Sequence, residues 1–509
     1  MLRSSGVLLN ISSLPGEYGI GGFSIDAKNF AEYISSMGFH WWQILPLTTI
    51  GEGNSPYCGL SAFAGNFLYL DPYSFESGLL TDEEKVSAKY QGDIYLTDYA
   101  FAYYCKRDLL QKAYGRITDT IKNNVEYFRA QNSYWLEDYA LFMALREENG
   151  NKPWYQWEDK LKYRDSQAIQ NAKDRLSDRI FYYCFEQYEF FRQWKNLKLF
   201  INNLGVNIFG DMPIYVCYDS ADVWAHPEIF QLNDNLEPLK VSGVPPDYFC
   251  AEGQRWGNPL YDYQKMKENN YEWLIKRILH NLNLYDMLRI DHFRGFYKYW
   301  AIPAASPGAK QGEWLDGPQY AIWEELQKHV VNPNIIAEDL GIIDDDVKKY
   351  LQKTGFYGMR VMQFAFDGDP CNIHLPHNYN KKCVGYTGTH DNDTTLGWLL
   401  NLPEQTRNYA LEYVHCNYES GWAGGGGDCQ ATKCFIKTLL SSACDLAIIP
   451  MQDLSGYGGD TRMNTPGKAT GNWEYRTNYS AMESVDISYM RKLNNLYGRN
   501  VWGSNVNIF

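Results

Sequence analysis

Three segments of the chain end an apolar run on acidic side chains: LRIDHFRGF carries Asp291, IIAEDLG carries Glu338 and YTGTHDNDT carries Asp391. A buried strand that opens onto a reactive site has this form, because its last residues leave the core. Arg289 lies two residues before Asp291 and shares its strand face, so the guanidinium is expected to hold that aspartate ionised and suit it to nucleophilic attack. If the strands carrying Asp291 and Glu338 are neighbours, about 4.8 Å apart, their carboxyls stand near the roughly 5–5.5 Å that retaining cleavage of a glycosidic bond requires. A carboxyl that close to an ionised one, in a partly desolvated mouth, has its pKa pushed up and can deliver a proton to a glycosidic oxygen. Glu338 fits that acid/base role. Asp391, beside His390, is placed to bind ring hydroxyls and favour a distorted, cationic sugar, and His292 and His390 can donate to hydroxyls.

A single acid at a strand end is more often a helix cap or turn residue. Three acids in the company of Arg289, His292 and His390 shift the balance towards chemistry. Two carboxylates and two histidines also invite a metal, yet no H-E-x-x-H or comparable ligand spacing occurs, so no metal is expected. GIGGFS comes within one residue of a dinucleotide fingerprint, with Ser24 where the last Gly belongs, and no acidic partner follows about 20 residues on. The glycines 424–427 have no P-loop context. No cofactor is expected.

The elements that must position these acids are eight short β-like runs, at 6–11, 41–47, 206–212, 287–291, 334–339, 359–364, 384–389 and 446–451. Several are near-continuous Val, Ile and Leu stretches, as parallel strands buried on both faces require. Between the first two, Ser24 can cap a helix whose apolar face is Ala27, Phe30, Ala31, Ile34 and Met37, with Gly38 ending it. After the fifth run, Asp344 to Asp346 load a first helical turn and Gly355 closes it. The expected fold is an α/β (β/α)8 TIM barrel with large, mostly helical insertions, whose chemistry belongs at the C-terminal ends of the strands. The organisation reads as a barrel start (1–70), a helical insertion (71–203), the third strand (204–216), a loop and helix insertion covering the site (217–285), and the remaining strands (286–509). The Pro- and Gly-rich centre of the second insertion suggests a lid, with 248–261 the covering loop.

With 47 Lys plus Arg against 61 Asp plus Glu, the net charge of −14 disfavours nucleic acid as a partner. Eleven cysteines, scattered without any C-x-x-C pair, suggest reduced intracellular thiols rather than a disulfide framework. No apolar run reaches about 18 residues and the first residues carry no signal-peptide core, so no membrane association is expected and the location reads as cytoplasmic. Aromatics make up 16% of the chain, many flanked by Asn, Asp, Gly and Ser. A flat apolar face with a polar handle suits sugars.

From SSGVLLNISSLPGEYGIGGF through WWQILPL, SPYCGLSAFAGNFLYLDP, GDMPIYV, GVPPDYF, GQRWGNPLY, RIDHFRG, AEDLG and GTHDNDTTLGW to RMNTPGKATGNWEYR, the chain resembles the 4-α-glucanotransferases of the amylomaltase or disproportionating-enzyme family. The least covered part is about 81–200. The resemblance implies Asp291 as nucleophile, Glu338 as general acid/base and Asp391 as transition-state stabiliser. It also implies sugar contacts from Arg289, His292 and His390 and a donor-side stacking ring at Tyr57. Gln254 and Trp256 fall on the loop covering the acceptor side, Asp211 supports the nucleophile's arginine, and Asn464 is a binding position. Val216 stands where related α-amylases usually carry His, which sits with the transferases. No appended starch-binding module is expected. The implied partners are α-1,4-glucans as donor and acceptor, acted on by a monomer or homodimer. The residues alone leave two rivals open: a retaining α-1,4-glucan hydrolase using the same acids, and a non-catalytic glucan-binding protein.

Overall fold

The computed structural model describes residues 2–246, 252–341, 344–417 and 421–500. Its strands are β1 (Ser4–Leu8), β2 (Trp41–Gln43), β3 (Asn207–Met212), β4 (Lys240–Val244), β5 (Gln254–Pro259), β6 (Met287–Ile290), β7 (Lys298–Pro303), β8 (Glu313–Asp316), β9 (Ile335–Ala337), β10 (Gly358–Val361), β11 (Cys383–Tyr386) and β12 (Leu446–Pro450). Eight of them form one parallel sheet in the order β10-β11-β12-β1-β2-β3-β6-β9. Ala337 N donates to Tyr357 O (2.8 Å) beside an Ile336–Tyr357 bridge, which brings the two edges together as a TIM barrel. The eight strands coincide with the eight apolar runs, and β1, β6, β11 and β12 are buried at every position.

Most barrel ladders end before the apolar runs do. Residues Ile11–Ser13 and Met362–Phe364 turn into 3-10 segments, so the ends of those runs become buried walls of the barrel mouth. Gly210 in β3 is required by close approach: a Cβ there would lie 2.1 Å from the Tyr285 ring. The helices that close the βα units form as expected. Ser24 accepts from Asp26 N at the start of Ile25–Ser36, Asp344 accepts from Val347 N at the start of Asp345–Thr354, and Gly355 ends the latter at φ 78°.

The long crossover between β2 and β3 is helical, with Tyr99–Tyr114, Asp119–Gln131, Ser133–Glu148, Ser166–Arg175 and Ser177–Asn203 as its main elements. It is tied to the mouth by Gln187, which accepts from Gly65 N (2.8 Å) and donates to Gly65 O (3.0 Å).

Two expectations are corrected. The 217–285 insertion is more than loop and helix: β4 and β5 pair antiparallel and join β7 and β8 in a second sheet, order β5-β4-β7-β8. These strands are short and partly exposed, and the β4–β7 pairing that joins the two hairpins reaches past the barrel strand β6, so no local pattern announces the sheet. Residues 248–251 of the expected covering loop lie outside the described residues. Nor are all thiols reduced: Cys58 and Cys217 form a disulfide with Cα atoms 5.2 Å apart across a sequence separation of 159. Their loops follow β2 and β3, which are neighbours in the barrel although distant in sequence. Among the described residues, no helix is long and apolar enough to cross a membrane.

Candidate active site

The site begins at the β3–β6 pairing, which sets Asp211 opposite Arg289. Both are buried. Arg289 Nη1 donates to Asp211 Oδ2 (2.6 Å) and Nη2 donates to Asp291 Oδ1 (2.7 Å), so one rigid guanidinium spans two carboxylates. The ladder continues one step past the named strands, with Asp291 N donating to Met212 O (3.0 Å) and Glu338 N to Ile290 O (3.1 Å). Asp291 and Glu338 therefore leave neighbouring strands at adjoining levels and project into the same mouth.

Glu338 is held from both oxygens. Oε2 accepts from His292 N (2.8 Å) and Oε1 from Leu340 N (2.7 Å). The first bond depends on His292 turning into the left-handed region, φ 48°, a conformation that costs a non-glycine residue about 1–3 kcal/mol. Burial pushes the Glu338 carboxyl up to about 7, with Arg289 opposing and the Asp291 charge assisting. Burial also raises Asp291, opposed by Arg289 and assisted by Asp211 and Asp391. This modifies the sequence expectation that Arg289 holds Asp291 ionised: burial works against it, and the guanidinium is shared with Asp211, which the resemblance named as its support, so its hold on Asp291 is diluted. Of the two carboxyls, Asp291 has the direct guanidinium bond, while Glu338 accepts from backbone N–H groups.

On the opposite wall, Asn464 Nδ2 donates to Asp391 Oδ1 (2.6 Å), and His390 Nε2 lies 3.4 Å from Asp391 Oδ2. The Tyr57 ring stacks on His390, centroids 5.2 Å apart and planes 14° apart, while its hydroxyl donates to Asp211 Oδ2 (2.7 Å). Burial and Asp211 raise that phenol well above its ordinary value, which keeps it a donor. Trp256, on β5, sets its ring edge-on against His292 at 4.8 Å and donates from Nε1 to Gln254 Oε1 (3.2 Å). Burial and the Arg294 charge lower His292 to about 3, so its ring is neutral. Its Nε2 is buried and has no hydrogen-bond partner among the described residues.

Tyr57, Asp211, Gln254, Trp256, Arg289, Asp291, His292, Glu338, His390, Asp391 and Asn464 are all linked through these contacts around one mouth. Two further residues belong with them. Arg462 Nη2 donates to the Asp391 carbonyl (2.6 Å), and its Nε to the Asn464 carbonyl (2.7 Å). The Trp473 ring lies 5.8 Å from Tyr57 and 6.0 Å from His390. Both stand in the RMNTPGKATGNWEYR segment beside Asn464, and their residue types alone do not mark them as lining the mouth. Among the described residues no group of three or more His, Cys, Asp or Glu is arranged to hold a metal ion.

This geometry can protonate a leaving oxygen from one side of a sugar and attack its anomeric carbon from the other. Comparison with known proteins points the same way. The sequence profile described as 4-alpha-glucanotransferase matches residues 9–481. A 4-alpha-glucanotransferase of Clostridium butyricum is 40% identical over 494 residues, covering 96% of this chain and 100% of its own. That of Aquifex aeolicus is 39% identical over 503 residues, covering 98% and 100%. Among solved structures, amylomaltase from Streptococcus agalactiae in complex with acarbose superposes with a TM-score of 0.93 at 36% identity, covering 98% of this chain and 99% of that one.

Proposed function

This chain belongs to the 4-alpha-glucanotransferase family, and on that premise we propose that it moves α-1,4-glucan segments from a donor to the 4-hydroxyl of an acceptor glucan or glucose by double displacement. Asp291 attacks the anomeric carbon as Glu338 gives its proton to the leaving glycosidic oxygen, forming a covalent glycosyl ester with inverted configuration. The reducing-end fragment departs. Glu338, now a carboxylate, takes the proton of an incoming 4-hydroxyl, whose oxygen displaces Asp291 and restores the α linkage. Asp391, aimed by Asn464, holds ring hydroxyls and favours the cationic sugar of the transition state.

The observation that carries this reading is the division of labour between two adjoining carboxyls. Asp291 is bonded to a buried guanidinium, whereas Glu338 accepts from two backbone N–H groups and, pushed up chiefly by burial, retains its proton to about 7. A guanidinium bonded to one carboxyl and backbone N–H groups to the other is the difference in environment that assigns nucleophile and acid. Tyr57 offers a stacked platform on the donor side. Gln254 and Trp256 stand over the acceptor side, where covering the intermediate favours a sugar hydroxyl over water.

Incubation of the purified protein with maltotriose tests the proposal. A ladder of longer chains together with glucose is expected; maltose and glucose alone would show hydrolysis instead. Asp291→Asn should abolish turnover while sugar binding persists, and surviving turnover would remove Asp291 from its role. The proposal also places the activity in the cytoplasm, in a monomer or homodimer, which fractionation and light scattering read.

A further inference from the structure

The Cys58–Cys217 disulfide lies one residue from Tyr57, and its two ends differ in how firmly the protein holds them. Cys217 sits on a fixed post. Around it, Arg277 donates to the carbonyls of Pro213 (2.6 Å), Ile214 (2.8 Å) and Tyr215 (3.2 Å), Asn258 Nδ2 donates to Val216 O (3.0 Å), and Trp154 Nε1 donates to Tyr218 O (2.7 Å). Cys58 sits on a loop bonded mainly to itself. Gly51 N donates to Cys58 O (2.9 Å), Cys58 N to Ser55 O (3.3 Å) and Tyr57 N to Ser55 Oγ (3.2 Å), and Gly53 turns at φ 81° with no atom within 4 Å of where its Cβ would be. Among the described contacts of residues 51–59, the ties to the far wall are the Tyr57 hydroxyl, the Tyr57 ring contacts and the disulfide.

We propose that Cys58 and Cys217 are positioning residues for donor binding: their bond seats the Tyr57 ring against His390, and its reduction weakens donor binding while the Asp291–Arg289–Asp211 bridge and the chemical step stay intact. The inference rests on the reading of Tyr57 as the donor-side ring. Both cysteines are part-exposed, so a small thiol can reach them. Its thiolate attacks one sulfur and releases the other cysteine as a thiolate, which takes up a proton. A second small thiol then displaces the mixed disulfide, leaving two protein thiols and one small disulfide. A low-molecular-weight disulfide reverses the exchange. In a reducing compartment a bond of this kind is characteristically reversible rather than a fixed scaffold. Just behind it the same two segments are also tied where Ala221 N donates to Leu60 O (2.8 Å) and Ala62 N donates to Asp222 Oδ2 (2.7 Å), so reduction releases residues 51–59 while the chain from Leu60 onward stays docked.

The test compares the full protein treated with oxidised glutathione and with dithiothreitol, using maltotriose as donor. The oxidised protein should show two fewer titratable thiols than the reduced one. Its donor KM should be about fivefold or more lower, a coupling of ordinary allosteric size, with kcat nearly unchanged, as expected for lost uniform binding. Cys58→Ser and Cys217→Ser, singly and together, should show the reduced protein's KM under both treatments. A thiol count that does not change, an unchanged wild-type KM, or variants that keep the wild-type response would each overturn the inference. The wild-type comparison stands even if a variant fails to fold. Tyr57→Ala separates the two levels of the argument. If it raises KM and abolishes the thiol response, both hold. If it raises KM while wild-type protein ignores the treatment, the disulfide inference alone falls. If it leaves KM untouched, the donor-ring reading falls and takes the inference with it.

Discussion

Replacing Glu338 by Gln probes the electrostatics of the mouth through stability as well as rate. Burial and the Asp291 charge push this carboxyl up to about 7 from an ordinary 4.5. Between those values the folded protein keeps a proton that the unfolded chain has already released. The folded state then binds more protons, so the contribution of Glu338 to stability is fully present below about 4.5 and is lost as pH rises through about 7. At about 1.4 kcal/mol for each pH decade, the gap amounts to at most about 3 kcal/mol, and solvent reaching the part-exposed carboxyl reduces it to about 1–2 kcal/mol. The amide of the variant cannot ionise and escapes this loss. It disturbs the bonds from His292 N and Leu340 N, but that cost is the same at both pH values and cancels in the comparison. Urea unfolding of wild type and E338Q at pH 5 and pH 8 should therefore show the variant gaining about 1–2 kcal/mol on wild type at the higher pH. An equal difference at the two pH values would refute the raised proton affinity. The same titration predicts a bell-shaped rate profile whose alkaline limb sets in near pH 7 as Glu338 loses its proton; a wild-type rate still climbing well above neutral would argue against the acid.

Asp211→Ala leaves the buried Arg289 with one carboxylate instead of two and should destabilise the protein by about 3–5 kcal/mol, with a fall in kcat; a thermal midpoint equal to wild type would show that the bridge carries little. Trp256→Ala should lower the ratio of transfer to hydrolysis severalfold in a product assay, and an unchanged ratio would remove that ring from acceptor coverage. Gly210→Ala forces a Cβ against the Tyr285 ring and should cost about 1–3 kcal/mol in thermal or urea unfolding; no measurable cost would contradict the close approach in β3.

The barrel is legible in the sequence because each of its strands is a run buried on both faces, a pattern that needs no knowledge of partners. The ends of those runs read equally well: LRIDHFRGF and IIAEDLG place Asp291 and Glu338 on neighbouring strands, and β6 does pair with β9. What stays hidden is whatever depends on segments meeting across the chain. KVSGV and QRWGNP look like loop until KYWAIP supplies the strand between them and β8. Cys58 and Cys217 carry no spacing signal, since only the β2–β3 pairing brings their loops together. The environment of Asp291 is legible from spacing only in part, and the resemblance supplies Asp211 as the support of its arginine. Arg289 is visible two residues away, whereas Asp211, which competes for the guanidinium, stands 78 positions earlier. Arg462 and Trp473 share a segment with Asn464, but nothing in their types alone distinguishes a mouth-lining side chain from a core one.

The central claim is that Asp291 bonds covalently to the sugar while Glu338 serves the proton. An α-glucosyl fluoride donor, whose leaving group needs no acid, lets E338Q form the glycosyl ester yet slows its transfer to an acceptor. Peptide mapping of the rapidly quenched E338Q protein should find the glucosyl adduct on the peptide holding Asp291, and none in E338Q/D291N. An adduct on Asp391 or elsewhere, or one that survives loss of Asp291, would contradict the account.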